Sequence, residues 1–195
     1  ANLLLGDPSK VEFTTVTAKT RQGLLDNGQV DMVLATYTVT EERNKQIDFS
    51  PIYYTDGIQL LVKKDAGIKS LADMDGKTIA VAQGSDTGQR LQDQAKTLGV
   101  TVKTAEYPSY ADGMAALQQG RADALSTDGS ILKYYEQQDP STVIPPDKYS
   151  EEPYGIAIKK GNSDLLDFVT QAIDDMKSSG KLQELIDKWQ LSGSI

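Results

Sequence analysis

Between residues 77 and 138 the hydrophobic pattern changes period repeatedly, and this alternation constrains the fold more than any other feature of the chain. Residues 77–83 (KTIAVAQ) form an apolar, β-rich run, and residues 85–98 carry a helical pattern that Gly99 stops. Residues 100–106 read as a strand, 109–119 as a helix stopped by Gly120, 122–127 as a strand and 128–138 as a helix. Switching between a period of two and a period near 3.6 marks βα units. Chains made of such units fold as α/β domains with mainly parallel sheets.

The flanks extend the pattern. Residues 11–16 alternate and read as a strand, 20–27 as a short helix ending at Gly28, and 30–36 (VDMVLAT) as the continuous apolar run of a buried parallel strand. Thr38-Val39-Thr40-Glu41 has capping-box spacing, which predicts a helix over residues 38–46. Residues 57–64 (GIQLLVKK) read as a strand and 70–74 as one helical turn. A polar, Pro-containing connector at 139–152 leads to a strand at 154–160 (YGIAIKK). In residues 163–178, Leu165, Leu166, Val169, Ile173 and Met176 share one helical face, and a last helix holds Leu182, Leu185, Ile186 and Trp189. The opening residues 1–7, a Leu run stopped by Gly6 and followed by Pro8, read as the last turn of a helix whose beginning is missing. Two strands end in Lys-Lys, at 63–64 and 159–160. They fit either two antiparallel crossovers between lobes or two ordinary solvent-edged strand ends.

Composition removes whole classes of chemistry. The chain has no Cys and no His. It therefore has no disulfide, thiolate nucleophile, iron–sulfur cluster, Ser-His-Asp triad or imidazole base. A metal site would need carboxylates and carbonyls alone, which suits Ca or Mg, and the EF-hand spacing is absent. With 20 Lys+Arg against 28 Asp+Glu and a net charge of −8, the chain lacks the positive charge that binds nucleic acid. No apolar stretch approaches the roughly 18 residues of a membrane-spanning helix, and residues 1–7 are too short and lack the basic region of a signal peptide. Asp75-Gly76-Lys77-Thr78 imitates the end of a phosphate-binding loop, but Leu71 stands where the first Gly is needed. The adjacent pairs Glu41-Glu42, Glu151-Glu152 and Asp174-Asp175 point in different directions and read as solvated faces rather than paired catalytic acids.

Ligands of open α/β sheets bind beyond the carboxyl ends of strands, and three strand-to-helix junctions are placed for this. The first, residues 35–43, joins a helix start at Thr38 to Arg43 one turn in, which suits a carboxylate; equally, Thr38 only caps and Arg43 faces solvent. The second, Gln83-Gly84-Ser85-Asp86-Thr87-Gly88, lets backbone N–H groups approach a ligand, or is an ordinary N-cap. The third, Ser126-Thr127-Asp128-Gly129-Ser130, puts a carboxylate where an ammonium could sit, or uses Asp128 as an N-cap. Together they offer a carboxylate clamp and an ammonium acceptor, the two requirements of a free α-amino acid.

At this level the sequence resembles the extracytoplasmic solute-binding proteins of polar amino-acid ABC transporters. The segments that carry the resemblance are LLGDPSKVEF, TAKTRQGLLDNGQVDMVLATYTVTEERNKQIDFSPIYY, LLVKKDAGIKSLADMDGKTIAVAQGS, GRADALSTDGSIL, and YGIAIKKG with the closing helix to KWQL. The resemblance implies a type II periplasmic-binding-protein-like α/β fold: two lobes on a two-strand hinge, with the family's N-terminal strand and helix missing. Lobe 1 would hold residues 1–61 and 153–195, and lobe 2 with the hinge segments residues 62–152.

The same resemblance implies the site. Arg43 would clamp the α-carboxylate with help from Thr38, and the Thr36 carbonyl would accept from the ammonium. The N–H groups of Asp86 and Thr87 would complete the carboxylate site, and Asp128 would pair with the ammonium. The family often has a small hydroxyl residue where Asp86 stands. Arg21 and Tyr154 match the branch that binds aspartate and glutamate, Arg21 on the ligand side chain or as a structural Arg. The expected ligand is glutamate or aspartate, with glutamine or asparagine as the nearest rival. The expected partner is the membrane permease of an ABC importer, and the expected location is the periplasm or, as a lipoprotein, the cell surface. A monomer without cofactor or metal is expected. The rivals from other classes are a cyclohexadienyl dehydratase-like enzyme, whose general acid would have to be Asp128, and a sensory ligand-binding domain.

Overall fold

The computed structural model describes residues 5–195. The helical turn read at the start of the chain lies, but for Leu5, outside the described residues. The chain divides into two compact units, residues 1–55 with 153–195 and residues 56–152.

In the second unit a sheet is built on β3 (Tyr54–Lys63), β4 (Thr78–Ala82), β5 (Lys103–Tyr107), β6 (Ala124–Asp128) and β7 (Thr142–Val143), in the order β5-β4-β6-β3-β7. Alternation along a strand sends neighbours to opposite faces, and here both faces are apolar because both are covered by helices. Ile58, Leu60, Val62, Ile79 and Val81 pack with Leu91 and Ala95 of α3 (Thr87–Leu98). Leu61, Ala80 and Leu125 pack with Met114, Ala116 and Leu117 of α4 (Tyr110–Gln118) and Leu132 of α5 (Gly129–Gln138). Gly99 stops α3 at φ +73°, a left-handed conformation that favours glycine.

The first unit holds a smaller sheet of β1 (Met32–Val33), β9 (Ala157–Lys159) and β2 (Ile47–Phe49), all antiparallel, with Val33 and Phe49 both opposite Ala157. Leu25 of α1 (Arg21–Asp26), Val33, Tyr37, Ile47 and Ala157 form one cluster. Ile156 and Ile158 pack with Val169 and Ile173 of α6 (Ser163–Ser178). Tyr54 and Tyr154 pack with Leu182 and Ile186 of α7 (Lys181–Lys188). The chain passes between the units within β3 and within β8 (Glu151–Tyr154), and β8 pairs with β3.

The α/β class expected from the alternation is the class observed, with corrections in detail. Only β4 pairs in parallel, with β5 and β6; every other pairing with a recorded register is antiparallel. Residues 11–16 form no ladder, and Phe13 is 91% exposed. Alternation yields a strand only where a neighbour supplies hydrogen bonds. The run 30–36 is a ladder only at Met32–Val33. The helix read over 38–46 shrinks to α2 (Glu41–Asn44), and 47–49 becomes a strand. The connector at 139–152 contains β7 and the start of β8. The Lys-Lys strand at 157–160 is not a crossover: it lies within the first unit as β9, and the return runs through β8.

Asp56 ties β3 to α5. Its carboxylate, 3% exposed, accepts from Gly57 N at 2.8 Å and Ser130 N at 3.0 Å. Asp56→Ala leaves both N–H groups without this acceptor, and buried groups so stranded cost about 1–3 kcal/mol. Urea denaturation should show a fall of that size, whereas an unchanged midpoint would mean the Ser130 N–H finds another acceptor.

Candidate functional site

In the first unit the candidate residues gather around Tyr37, which is 2% exposed. Arg21, from the first turn of α1, donates Nη1–H to the Thr36 carbonyl at 2.9 Å. Arg43, from α2, donates Nη1–H to the Thr38 carbonyl at 2.7 Å. Both guanidiniums sit over the Tyr37 ring, with the central carbon 3.8 Å from its centroid for Arg21 and 5.1 Å for Arg43. Phe49 meets the same ring edge-on at 5.3 Å. Tyr53 donates its hydroxyl to the Ala35 carbonyl at 3.1 Å, and burial pushes its pKa up to about 12, so it stays a donor. Among the described residues no carboxylate forms an ion pair with Arg43, which is half-buried. Its fork keeps N–H donors for an incoming anion.

The cap at this junction is not the expected one. Thr40, not Thr38, is the N-cap of α2, and its hydroxyl accepts from Arg43 N at 3.2 Å. Thr38 is buried and forms an extended bridge with Tyr154. Two threonines two residues apart both look like caps in sequence; the backbone pairing with Tyr154 takes the first and leaves the second. The Thr36 carbonyl, expected to face an ammonium, accepts from Arg21. The Tyr154 ring packs against Tyr54 at 5.8 Å within the aromatic cluster.

In the second unit Asp86, Thr87 and Asp128 lie at the carboxyl ends of β4 and β6, as junction reasoning requires. Gly84 takes φ +79° to make the turn, and the Ser85 hydroxyl is bound to the Ala82 carbonyl at 2.7 Å. Asp86 precedes α3 without a side-chain cap; its carboxylate accepts from Arg90 Nε at 2.8 Å. The same Nε lies 3.4 Å from Glu152 Oε1, on a side chain 1% exposed that also accepts from the Ser150 hydroxyl. Burial works against the Arg90 charge, but Asp86, Glu152 and Asp128 outweigh it and hold its pKa above the ordinary value. Asp128, 7% exposed, precedes α5 but makes no cap hydrogen bond; Asp56 supplies that cap from β3. Asp128 is thus one of the carboxylates in the field of Arg90.

Sequence reasoning missed Tyr37, Asp56 and Arg90, and its reading of Glu151-Glu152 as a solvated face fails for Glu152, which is buried against Arg90 and Ser150. The Asp86–Arg90 spacing of four on a helix was a readable signal. Contacts across 62 or 74 residues, Arg90 to Glu152 and Asp56 to Ser130, leave no local trace. Among the described residues, no group of three or more His, Cys, Asp or Glu could hold a metal ion. Arg90→Met removes the cation beside the buried Glu152 carboxylate and leaves it the Ser150 hydroxyl. Breaking a fully buried pair costs about 3–5 kcal/mol; with Arg90 33% exposed, a loss of about 2 kcal/mol in urea unfolding is expected.

The chain has clear relatives. The model of the bacterial extracellular solute-binding proteins, family 3, matches residues 5–192. The glutamine-binding protein GlnH of an ABC transporter of Bacillus subtilis (strain 168) is 38% identical over 187 residues, covering 95% of this chain and 67% of its own length. A glutamine-binding protein of Geobacillus stearothermophilus is 41% identical over 161 residues, covering 82% and 60%. The chain thus spans about two thirds of the curated relatives it matches. A solved ancestral arginine-binding protein, bound to arginine, superposes with a TM-score of 0.82 at 38% identity, covering 92% of this chain and 80% of that one. The fold is the type II periplasmic-binding-protein-like fold expected from the sequence.

Proposed function

This chain belongs to the bacterial extracellular solute-binding proteins of family 3, and from that premise we propose that it binds free L-glutamine outside the cytoplasm and delivers it to the membrane permease of an ABC importer. The observation that carries the reading is Arg43. It is a half-buried guanidinium held by the Thr38 carbonyl and the Tyr37 ring, with no carboxylate of the described chain paired to it. Such a group suits an α-carboxylate. The family is one of binding proteins, and an enzymatic role is set aside.

Glutamine replaces the glutamate or aspartate expected from sequence. That expectation leaned on Arg21 as the cation for a ligand side-chain carboxylate. Arg21 is instead buried against Tyr37 and hydrogen-bonded to Thr36. The net charge of −8 opposes a second anionic group. The relatives at 38% and 41% identity both carry glutamine in their names.

Calorimetry of the protein against the twenty amino acids tests the reading. L-glutamine should bind tightest, and Arg43→Met should weaken it by one to two decades, since a hydrogen bond to a charged group contributes about 1.5–3 kcal/mol. Tighter binding of glutamate than of glutamine would restore the acidic ligand. Absence of heat with every amino acid would remove the function altogether.

A further inference from the structure

The pair of arginines on one aromatic ring does more than supply charge. The carbonyls on either side of Tyr37 each fix one guanidinium, Thr36 for Arg21 and Thr38 for Arg43. The ring between them lies against both, and Phe49 holds that ring from the side at an interplanar angle of 85°. Arg43 comes from a helix of only four residues, which by itself fixes a long side chain poorly. Its orientation is set by two contacts outside that helix, one carbonyl and one π face. A buried ring attracts a guanidinium more strongly than an exposed one. It also draws Arg21 and Arg43 together despite their like charge, which raises the local positive potential that a carboxylate then relieves.

We propose that Tyr37 is a positioning residue, holding the Arg43 fork in the orientation that receives a ligand carboxylate, and that Arg21 braces this arrangement through Tyr37 and Thr36 rather than touching the ligand side chain. The inference rests on the amino-acid-binding reading of Arg43. Tyr37 acts through its π face, so phenylalanine can replace it and an aliphatic side chain cannot.

The test is a double-mutant cycle read by calorimetry with L-glutamine, and with L-glutamate as the second probe. Tyr37→Phe should bind L-glutamine within about threefold of the wild type, and Tyr37→Leu about tenfold more weakly. On an Arg43→Met background, Tyr37→Leu should change affinity by less than about threefold, because the group it positions is already gone. Arg21→Met should leave the ratio of L-glutamine to L-glutamate affinity unchanged. A measurement without ligand covers any loss of fold stability: the NMR order parameter of the Arg43 Nε–H should fall in Tyr37→Leu and hold in Tyr37→Phe. An equal effect of Tyr37→Leu on both backgrounds, or an unchanged order parameter, would make the ring merely structural and overturn the proposal. A tenfold change of the ligand ratio in Arg21→Met would put Arg21 on the ligand and remove its bracing role. Failure of the wild type to bind L-glutamine would instead strike the functional reading itself, and this inference with it.

Discussion

Buried backbone carbonyls must find donors, and the first unit is organised by how residues 35–38 meet that demand. Ala35 O accepts from Tyr37 N at 2.7 Å and from the Tyr53 hydroxyl. Thr36 O takes Arg21, Thr38 O takes Arg43, and Tyr37 O receives Gly155 N at 3.4 Å. None of these donors belongs to a regular ladder. The chain can therefore leave the sheet after Val33 without stranding its acceptors, and the donors that replace the ladder include two cations. Structure and candidate function share one cause here: satisfying an irregular buried segment brings guanidinium groups to it.

The second unit solves a different problem, the burial of carboxylates. Asp56, Asp128 and Glu152 are all nearly inaccessible, and burying an unpaired charge is prohibitive. Asp56 is met by two backbone N–H groups. Glu152 is met by Ser150 and Arg90, and Arg90 also holds Asp86 and lies in the field of Asp128. A single half-buried arginine thus pairs with two carboxylates, Asp86 and Glu152.

The sequence by itself determined the βα alternation, the helix stops at Gly99 and Gly120, the two-faced apolar strands and the junctions at Asp86 and Asp128, because periodicity and glycine conformation are local properties. It also carried the family resemblance, since the matching segments together cover nearly the whole chain. Tertiary structure alone decided which extended runs found partners, so that residues 11–16 carry no ladder while Ile47–Phe49 does. It decided that Thr40 rather than Thr38 caps α2, that Asp56 rather than Asp128 caps α5, and that Arg21 donates to the Thr36 carbonyl and lies over the Tyr37 ring. The physical reason is common to all of these. A side chain's partner is set by what the fold brings within about 3 Å of it, and for Asp56 and Arg90 that partner lies more than sixty residues away.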